Sequence, residues 1–198
     1  MFDYELHRKV IISEKQKQAA KIKAALFALR DSESIPFGEA LKYANSASKI
    51  TGVRPAFLLA ILTQESSLGA NVGTCYLTDT QSGAGVSIKS GNTYKNVMKP
   101  ERDVTPFLSI TKTLGLDPLK TKVSCPQSVG WGGAMGPAQF IPSTWMLFKD
   151  RIASATGSSF PNPWNPQDAF MASAIYLGDL GALNGSYTGE QNAACKYY

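Results

Sequence analysis

Residues 69–100 constrain the fold most, because they interrupt an otherwise helical chain with a stretch that has no helical period. They are rich in turn-forming residues, and short alternating pieces lie on either side of the S-G-A-G at 82–85. This pattern favours a β-hairpin or an irregular lobe over a helix. A second irregular stretch follows at 116–142. The sequence therefore predicts a mainly α fold with one small β-like insertion.

The remaining segments show helical spacing of apolar residues. Phe37, Leu41, Ala44 and Ser48 follow one predicted face of a helix that Gly52 ends. The predicted helices are 37–51, 55–67, 103–115, 144–156, 165–180 and a last one from Thr188.

Helix-end residues support these boundaries. Ser143 is predicted to cap the helix at 144–156, which Gly157 ends. Asn165 is predicted as the N-cap of the next helix, and residues 188–191 have the spacing of a capping box.

The first 34 residues are expected to form a unit of their own. Residues 12–31 read as a helix rich in Ala, Lys and Gln, and its early part is polar all round. That composition is typical of the end of a coiled coil or of a linker helix. We expect an N-terminal helix within 1–34 and one domain over 35–198, with an irregular lobe at 69–128.

The residue counts exclude whole classes of chemistry. His7 is the single histidine, so a Ser-His-Asp or Cys-His system would have to use it, and a His-rich metal site cannot form. The three cysteines lack the paired spacing of zinc ligands. We expect no metal and no cofactor, and acid–base catalysis would rest on carboxylates, Lys, Tyr or Cys.

The net charge of +5 is mild and suits an anionic polymer as partner. Nucleic acid, cell-wall glycan and anionic lipid all satisfy that description. A basic stripe interleaved with aromatic residues is missing, which argues against nucleic acid. The chain has neither an apolar run long enough for a membrane span nor a signal peptide at its start.

Cys75 and Cys125 flank a polar region, where buried structural thiols are uncommon. A disulfide between them would close a loop of about 50 residues and stabilise the fold by roughly 4 kcal/mol. The alternative is unpaired thiols in a reducing compartment. Cys195 is left over in the first case.

Glu65 stands out on the helix predicted at 55–67. Leu58, Ile61 and Leu62 define a buried stripe, and Glu65 is the next residue on it. Burial would raise the pKa of this carboxyl and keep it partly protonated near neutral pH, as a general acid requires. The alternative is a solvated or ion-paired carboxylate just past the stripe. Small residues after Glu65 leave the helix end open to a ligand.

The glycine-dense segment 130–142 is neither a dinucleotide fingerprint nor a phosphate-binding loop, because both spacings fail. So many glycines beside Met135 and Gln139 indicate backbone brought close to a flat, polar ligand. A tight, well-packed turn between helices is the other explanation.

Three blocks now carry a family resemblance: T-Q-E-S-S-L-G at 63–69, G-G-A-M-G-P-A-Q-F-I-P-S-T-W at 132–145, and N-P-W-N-P-Q-D-A-F-x-x-S-A-x-Y-L at 162–177. In this order they resemble the signature blocks of lytic murein transglycosylases, closest to the membrane-bound lytic transglycosylase B branch of the lysozyme-like superfamily. The resemblance implies a lysozyme-like α+β fold: a helical domain around a glycan cleft, with a small lobe.

The resemblance also implies the reaction. Such enzymes cleave the β-1,4 bond between N-acetylmuramic acid and N-acetylglucosamine without water and leave a 1,6-anhydro end. Glu65 falls on the single catalytic acid/base. Ser66, Met135, Gln139 and Tyr176 fall on positions expected to bind substrate.

Tyr197 matches more weakly a tyrosine of a late A-x-x-x-Y-N pattern, in which this chain has Tyr198 where asparagine is expected. Gly130 stands where some relatives have serine, with Ser128 nearby. The expected partners are peptidoglycan glycan strands, with a partner or membrane tether through a missing N-terminal region. The expected location is extracytoplasmic: periplasm, cell envelope or secreted.

Two other functions stay open on the sequence. A hydrolytic muramidase of the same fold would use a second acid, for which Asp79, Asp103 and Asp168 are candidates. Asp103 and Asp168 are better explained as helix-start residues. A non-catalytic glycan-binding module of a surface protein is the other, although binding alone needs no buried acid.

Overall fold

A computed structural model describes residues 34–183 and 185–197 of the chain. The predicted N-terminal unit 1–34, with its helix and His7, lies outside these residues apart from Ser34. The predictions made for that segment stay predictions.

Six α-helices and one small sheet make up the described part of the chain. The helices are α1 Phe37–Thr51, α2 Pro55–Ser66, α3 Thr105–Thr113, α4 Pro142–Thr156, α5 Pro166–Asp179 and α6 Tyr187–Tyr197. A single π-helical turn, Pro100–Val104, leads into α3. The predicted mainly helical class is confirmed. None of the helices in the described ranges is long and apolar enough to cross a membrane.

Helix α5 is the centre of the domain and is buried on nearly every side. It packs against α1 and α4. Its small residues, such as Ala172, Ser173 and Ala174, let neighbouring helices approach closely. Asn165 caps the helix by accepting hydrogen bonds from the backbone of Gln167 and Asp168, as the sequence predicts.

The buried face of α1 differs from the predicted one. Ala40, Ala44 and Ala47 are buried, whereas Phe37 and Leu41 are more than a third exposed. The helix turns its alanine face inward because small side chains fit closely against α5. Of the apolar residues whose spacing predicts this helix, only Ala44 is buried, and both ends of the helix are confirmed.

The segment between α2 and α3 contains a three-stranded antiparallel sheet in the order β1-β2-β3. Its strands are β1 Cys75–Leu77, β2 Gly85–Ser87 and β3 Thr93–Tyr94. Strands β1 and β2 pair with Tyr76 opposite Val86, so the predicted hairpin around residues 82–85 is present.

A disulfide joins Cys75 of β1 to Cys125, and the prediction of this bond is confirmed. Cys75 also forms a backbone bridge with Val123. The sheet is thus tied to the chain segment that enters the glycine-rich turn. Cys195 is exposed and free.

Two predicted helix caps are supplied by other residues. Helix α4 begins at Pro142, and Ser143 donates its hydroxyl at 2.7 Å and its backbone N–H at 3.2 Å to Asp103. A fully buried carboxylate from the π-helical turn therefore receives the N-terminus of α4, where the helix dipole favours negative charge. The predicted cap by Ser143 is wrong.

Helix α6 begins at Tyr187, and the Ser186 hydroxyl accepts a hydrogen bond from Gly189. The capping box predicted at 188–191 is therefore wrong, by two residues. Glu190, which that box contains, instead accepts two hydrogen bonds from the Arg54 guanidinium. This ion pair fastens α6 to the start of α2.

Candidate active site

Glu65 lies in the last turn of α2, directly after the buried stripe. Leu58, Ile61 and Leu62 are at most 4% exposed, while Glu65 is half-buried. Ser67 and Leu68 follow in the left-handed region, with φ of 51° and 54°. Such backbone is costly for residues other than glycine, and strain of this kind clusters at functional sites. The chain thus turns sharply away and leaves one side of Glu65 open.

Burial raises the pKa of Glu65 from 4.5 to about 7. No described residue donates a hydrogen bond to this carboxyl or forms an ion pair with it. By contrast, Asp79 on the surface accepts hydrogen bonds from Gln81 and Ser82, which hold its pKa below the usual range. The environment therefore keeps Glu65 partly protonated near neutral pH.

The glycine-rich turn lies opposite and is built around a backbone bridge between Met135 and Phe140. Gly136 has a φ of 62°, and a Cβ there would lie 1.9 Å from the carbonyl oxygen of Pro163. Gln139 also has a positive φ, 52°, and its side-chain amide donates to the Gly136 carbonyl at 2.7 Å. This local bond holds Gln139 in one position on the turn.

Ser66 joins the end of α2 to this turn. Its hydroxyl donates to the carbonyl of Pro137 at 2.6 Å and accepts from the Gly69 N–H at 2.8 Å. Ser66 is 1% exposed and Met135 is fully buried, so neither side chain reaches the cleft. In this structure both residues support the backbone of the site, and their predicted binding of substrate stays a prediction. They shape the site from behind.

Aromatic rings form the opposite wall. The ring of Tyr176 lies 5.8 Å from that of Phe140 and 5.2 Å from that of Tyr197, in edge or tilted contacts. The Tyr197 hydroxyl lies 3.0 Å from that of Ser173 and donates to the carbonyl of Ala138 at 3.3 Å. The last helix thus fixes the residue that precedes Gln139.

These parts enclose a cavity of about 240 Å³. It brings together Glu65, Gln139 and Tyr176 with Tyr197, the weakest of the sequence matches. The cavity is lined by Glu65, Ala138, Gln139, Phe140, Ile141, Thr144, Tyr176 and Tyr197. The sequence analysis missed Thr144. The available signal was its position in the first turn of α4, directly after the glycine-rich turn.

The other candidate acids do not line this cavity. Asp103 is fully buried and receives Ser143 and Arg102. Asp168, 5% exposed, accepts a hydrogen bond from the backbone of Asn162. Asp168 lies in the first turn of α5, as the sequence predicts, whereas Asp103 receives the N-terminus of α4 rather than that of the helix predicted at 103–115. Glu65 is the one carboxyl group among the cavity-lining residues.

The described residues hold no group of three or more His, Cys, Asp or Glu side chains arranged to bind a metal ion. The cavity lining supplies one carboxylate, one carboxamide, hydroxyl groups and apolar rings. That set can donate and accept protons and hydrogen bonds along a polar, uncharged ligand.

Comparison with solved structures shows a shared fold. The chain matches the soluble lytic transglycosylase SltB1 from Pseudomonas aeruginosa with a TM-score of 0.54 at 23% identity, over 76% of this chain and 46% of that one. It matches the Escherichia coli lytic transglycosylase Slt35 in complex with calcium with a TM-score of 0.51 at 23% identity, over 82% of this chain and 50% of that one. The lysozyme-like α+β fold expected from the sequence is confirmed.

The chain spans about half the length of these two proteins. A search of curated proteins gave no match. The family model described as the transglycosylase SLT domain matches residues 37–193, which is most of the chain and contains all three sequence blocks. The chain therefore belongs to the transglycosylase SLT domain family.

Proposed function

We propose that residues 35–198 form a peptidoglycan lytic transglycosylase domain with Glu65 as its single acid/base. The observation that carries the proposal is one half-buried carboxyl, its pKa raised to about 7, on the wall of a cavity with no other acid in its lining. Membership of the family supports the same reaction class.

In the first step Glu65 acts as general acid. Its proton goes to the oxygen of the β-1,4 bond between N-acetylmuramic acid and N-acetylglucosamine, and the bond from that oxygen to C1 breaks. The electron pair stays with the departing oxygen. Because burial keeps Glu65 partly protonated near neutral pH, a fraction of the free enzyme already carries the proton that this step needs.

In the second step the Glu65 carboxylate acts as base. It takes the proton from the C6 hydroxyl of the same muramyl residue as that oxygen bonds to C1. The muramyl N-acetyl group stabilises the positive charge at C1 in between. The product is a 1,6-anhydro end, no water is consumed, and Glu65 returns to its protonated state.

Gln139, Tyr176 and Tyr197 would hold the glycan at the cleft. Gln139 sits at a strained position of the turn with its amide anchored on Gly136, so its place does not depend on the ligand. Tyr176 offers its ring and hydroxyl group on the facing wall, and Tyr197 offers its ring, since the Tyr197 hydroxyl is bonded to Ser173 and Ala138. These are binding roles, since proton transfer rests on Glu65.

The proposed partner is the glycan strand of peptidoglycan, which places the protein outside the cytoplasm. The Escherichia coli lytic transglycosylase Slt35, which matches this chain at 23% identity with a TM-score of 0.51, has been solved in complex with bulgecin A. The disulfide between Cys75 and Cys125 supports an oxidising compartment. We keep a tether through the N-terminal segment as a prediction.

Hydrolysis by the same site is the competing reaction. An inverting or retaining glycosidase uses a second carboxyl about 5–9.5 Å from the first. Asp103 and Asp168 are committed to other contacts, and Asp79 makes its hydrogen bonds within its own turn. These contacts favour the transglycosylase reaction over the muramidase. The partly buried Glu65, with its raised pKa, argues against a module that only binds, since binding needs no such acid.

The experiment that tests the proposal is solubilisation of purified peptidoglycan by the wild type and by Glu65→Gln. We expect the variant to lose at least about a hundredfold in rate, since a positioned general acid contributes that much or more. Glu39→Gln, on the exposed side of α1, is the matched control and should keep wild-type activity. Full activity of Glu65→Gln would contradict the mechanism.

A further inference from the structure

Two apolar side chains project from the loop that precedes the glycine-rich turn. Trp131 is 42% exposed and Val129 is 89% exposed. Within the described part of the chain, no aromatic ring packs on the Trp131 indole and no group accepts a hydrogen bond from its N–H. A large ring left open in this way is a candidate for contact with a ligand.

The Trp131 loop is nevertheless held firmly, because Asn96 bonds to the residues on both sides of the ring. The Asn96 side-chain amide donates to the carbonyl of Gly130 at 2.6 Å. The backbone N–H of Gly132 donates to the Asn96 carbonyl at 3.1 Å. The backbone around Trp131 is therefore set before any ligand binds, which lowers the entropy cost of binding.

The chain segment around Cys125, which forms the disulfide, also contacts the Trp131 loop. A Cβ on Gly132 would lie 2.4 Å from the carbonyl oxygen of Ser124 and 2.7 Å from the carbonyl carbon of Cys125, so the two segments are in close backbone contact. Gly133 donates to Ser124 at 3.0 Å. Through Cys125 and its bond to Cys75, the sheet fixes the position of the Trp131 loop.

The loop is continuous with the cleft. Met135, the first residue of the turn bridge, is the fourth residue after Trp131, so the two Cα atoms are at most about 14 Å apart. The neighbours of Trp131 are glycines, and a Cβ on Gly130 would meet open space. No bulky neighbour in sequence therefore shields the ring, which leaves it open to a flat ligand.

We propose that Trp131, with Val129 beside it, is a platform on which a sugar ring of the glycan strand stacks outside the Glu65 cleft. This inference rests on the proposed function. The C–H face of a pyranose packs on an aromatic face, while its hydroxyls stay in water and the indole N–H supplies one hydrogen bond. The role of the disulfide-bonded sheet is to hold this platform.

Binding is tested without turnover on the Glu65→Gln background, by sedimentation of the full chain with purified peptidoglycan. We expect Trp131→Ala to weaken binding by about threefold to tenfold and Trp131→Phe to retain most of it. Phe160→Ala is the matched control and should bind normally, because Phe160 is 63% exposed but lines a different groove, between α3 and α4.

A second measurement uses tryptophan fluorescence. The chain has three tryptophans, and Trp145 is 1% exposed. Soluble glycan fragments released from peptidoglycan should change the emission of the Glu65→Gln protein, and the Trp131→Phe substitution should remove most of that change.

The outcomes separate the two proposals. If the Glu65→Gln protein does not bind peptidoglycan, the proposed function fails and the platform fails with it. If that protein binds and Trp131→Ala binds equally well, the platform alone is wrong. Equal losses for Trp131→Ala and Trp131→Phe would contradict ring stacking, and an equal loss for Phe160→Ala would indicate unspecific adhesion.

Discussion

Glu65 combines a structural cost with a chemical use. A half-buried carboxyl that no described residue pairs with is unfavourable when it ionises, and its pKa rises to about 7. The same burial gives the cleft an acid that is still partly protonated near neutral pH. Two measurable consequences follow, one for stability and one for activity.

Glu65→Gln should stabilise the fold at about pH 8 and have little effect near pH 4. The folded pKa lies above the unfolded one, so stability falls as pH rises from 4.5 to about 7 and the cost is then complete. For a fully buried group, this pKa shift would correspond to a gain of about 3 kcal/mol in the free energy of unfolding. For a half-exposed carboxyl we expect about 1–2 kcal/mol.

Urea unfolding of the wild type and Glu65→Gln at both pH values measures this difference. Glu39→Gln is the control, since Glu39 pairs with Lys42 on the exposed surface of α1 and should show no gain at high pH. A gain in the free energy of unfolding of Glu65→Gln that is equal at both pH values would contradict a raised pKa of Glu65 in the folded protein.

The rate of peptidoglycan cleavage should fall as pH rises through about 7. The acid step needs protonated Glu65, so kcat/KM should drop by about tenfold for each pH unit above about 7. Initial rates from about pH 5 to about pH 9, with circular dichroism to verify folding, provide the measurement. A rate that stays constant above pH 7 would exclude Glu65 as the acid.

The residues of the site differ in how well the sequence predicts them. Glu65 could be predicted because its place in line with Leu58, Ile61 and Leu62 follows from residue spacing along the sequence alone. The burial of Ser66 and Met135 could not be predicted, because a motif does not say whether a side chain faces the ligand or supports the backbone behind it. The place of Tyr197 depends on a contact with the Ala138 carbonyl, which only the tertiary fold provides.

At the scale of elements, the helices were predictable and two of their caps were not. The ends of α1 and α2 follow from Gly52 and Pro55, local signals that the structure confirms. The N-terminus of α4 instead meets Asp103, forty residues earlier in the chain. Sequence rules consider neighbouring residues, so they selected Ser143, which is a donor to that carboxylate.

Gly136→Ala should distort the glycine-rich turn and abolish cleavage. Its Cβ would lie 1.9 Å from the Pro163 carbonyl oxygen, whereas Gly115, with nearly the same φ, has open space around it. Gly115→Ala therefore carries the same backbone strain without the clash and is the matched control. We expect Gly136→Ala to lower the melting temperature clearly more than Gly115→Ala, and equal effects would contradict this packing.

Removing the disulfide by Cys75→Ser with Cys125→Ser should destabilise the domain by up to about 4 kcal/mol, because the closed loop is long. Urea unfolding measures the loss, with Cys195→Ser as an exposed control that should have no effect. Thiol titration of the denatured, unreduced wild type should find one free thiol of three cysteines. Three free thiols would exclude the bond.

For the whole molecule, the sequence predicted the order of elements but not how they pack. Periodicity indicated helices around a small β-like insertion, and the three family blocks indicated a shared cleft. The burial of the alanine face of α1 against α5 was not predicted, because hydrophobicity does not indicate how closely two helices can approach. The assembled domain brings α2, the turn and α6 around one acid.

The most direct test of the central claim, one-acid transfer without water, is mass analysis of the fragments released from peptidoglycan in oxygen-labelled water. We expect muramyl ends with a 1,6-anhydro mass, lighter than a reducing end by one water and free of the label. Glu65→Gln should release neither kind of end. Reducing ends that carry the label would show hydrolysis and contradict the account.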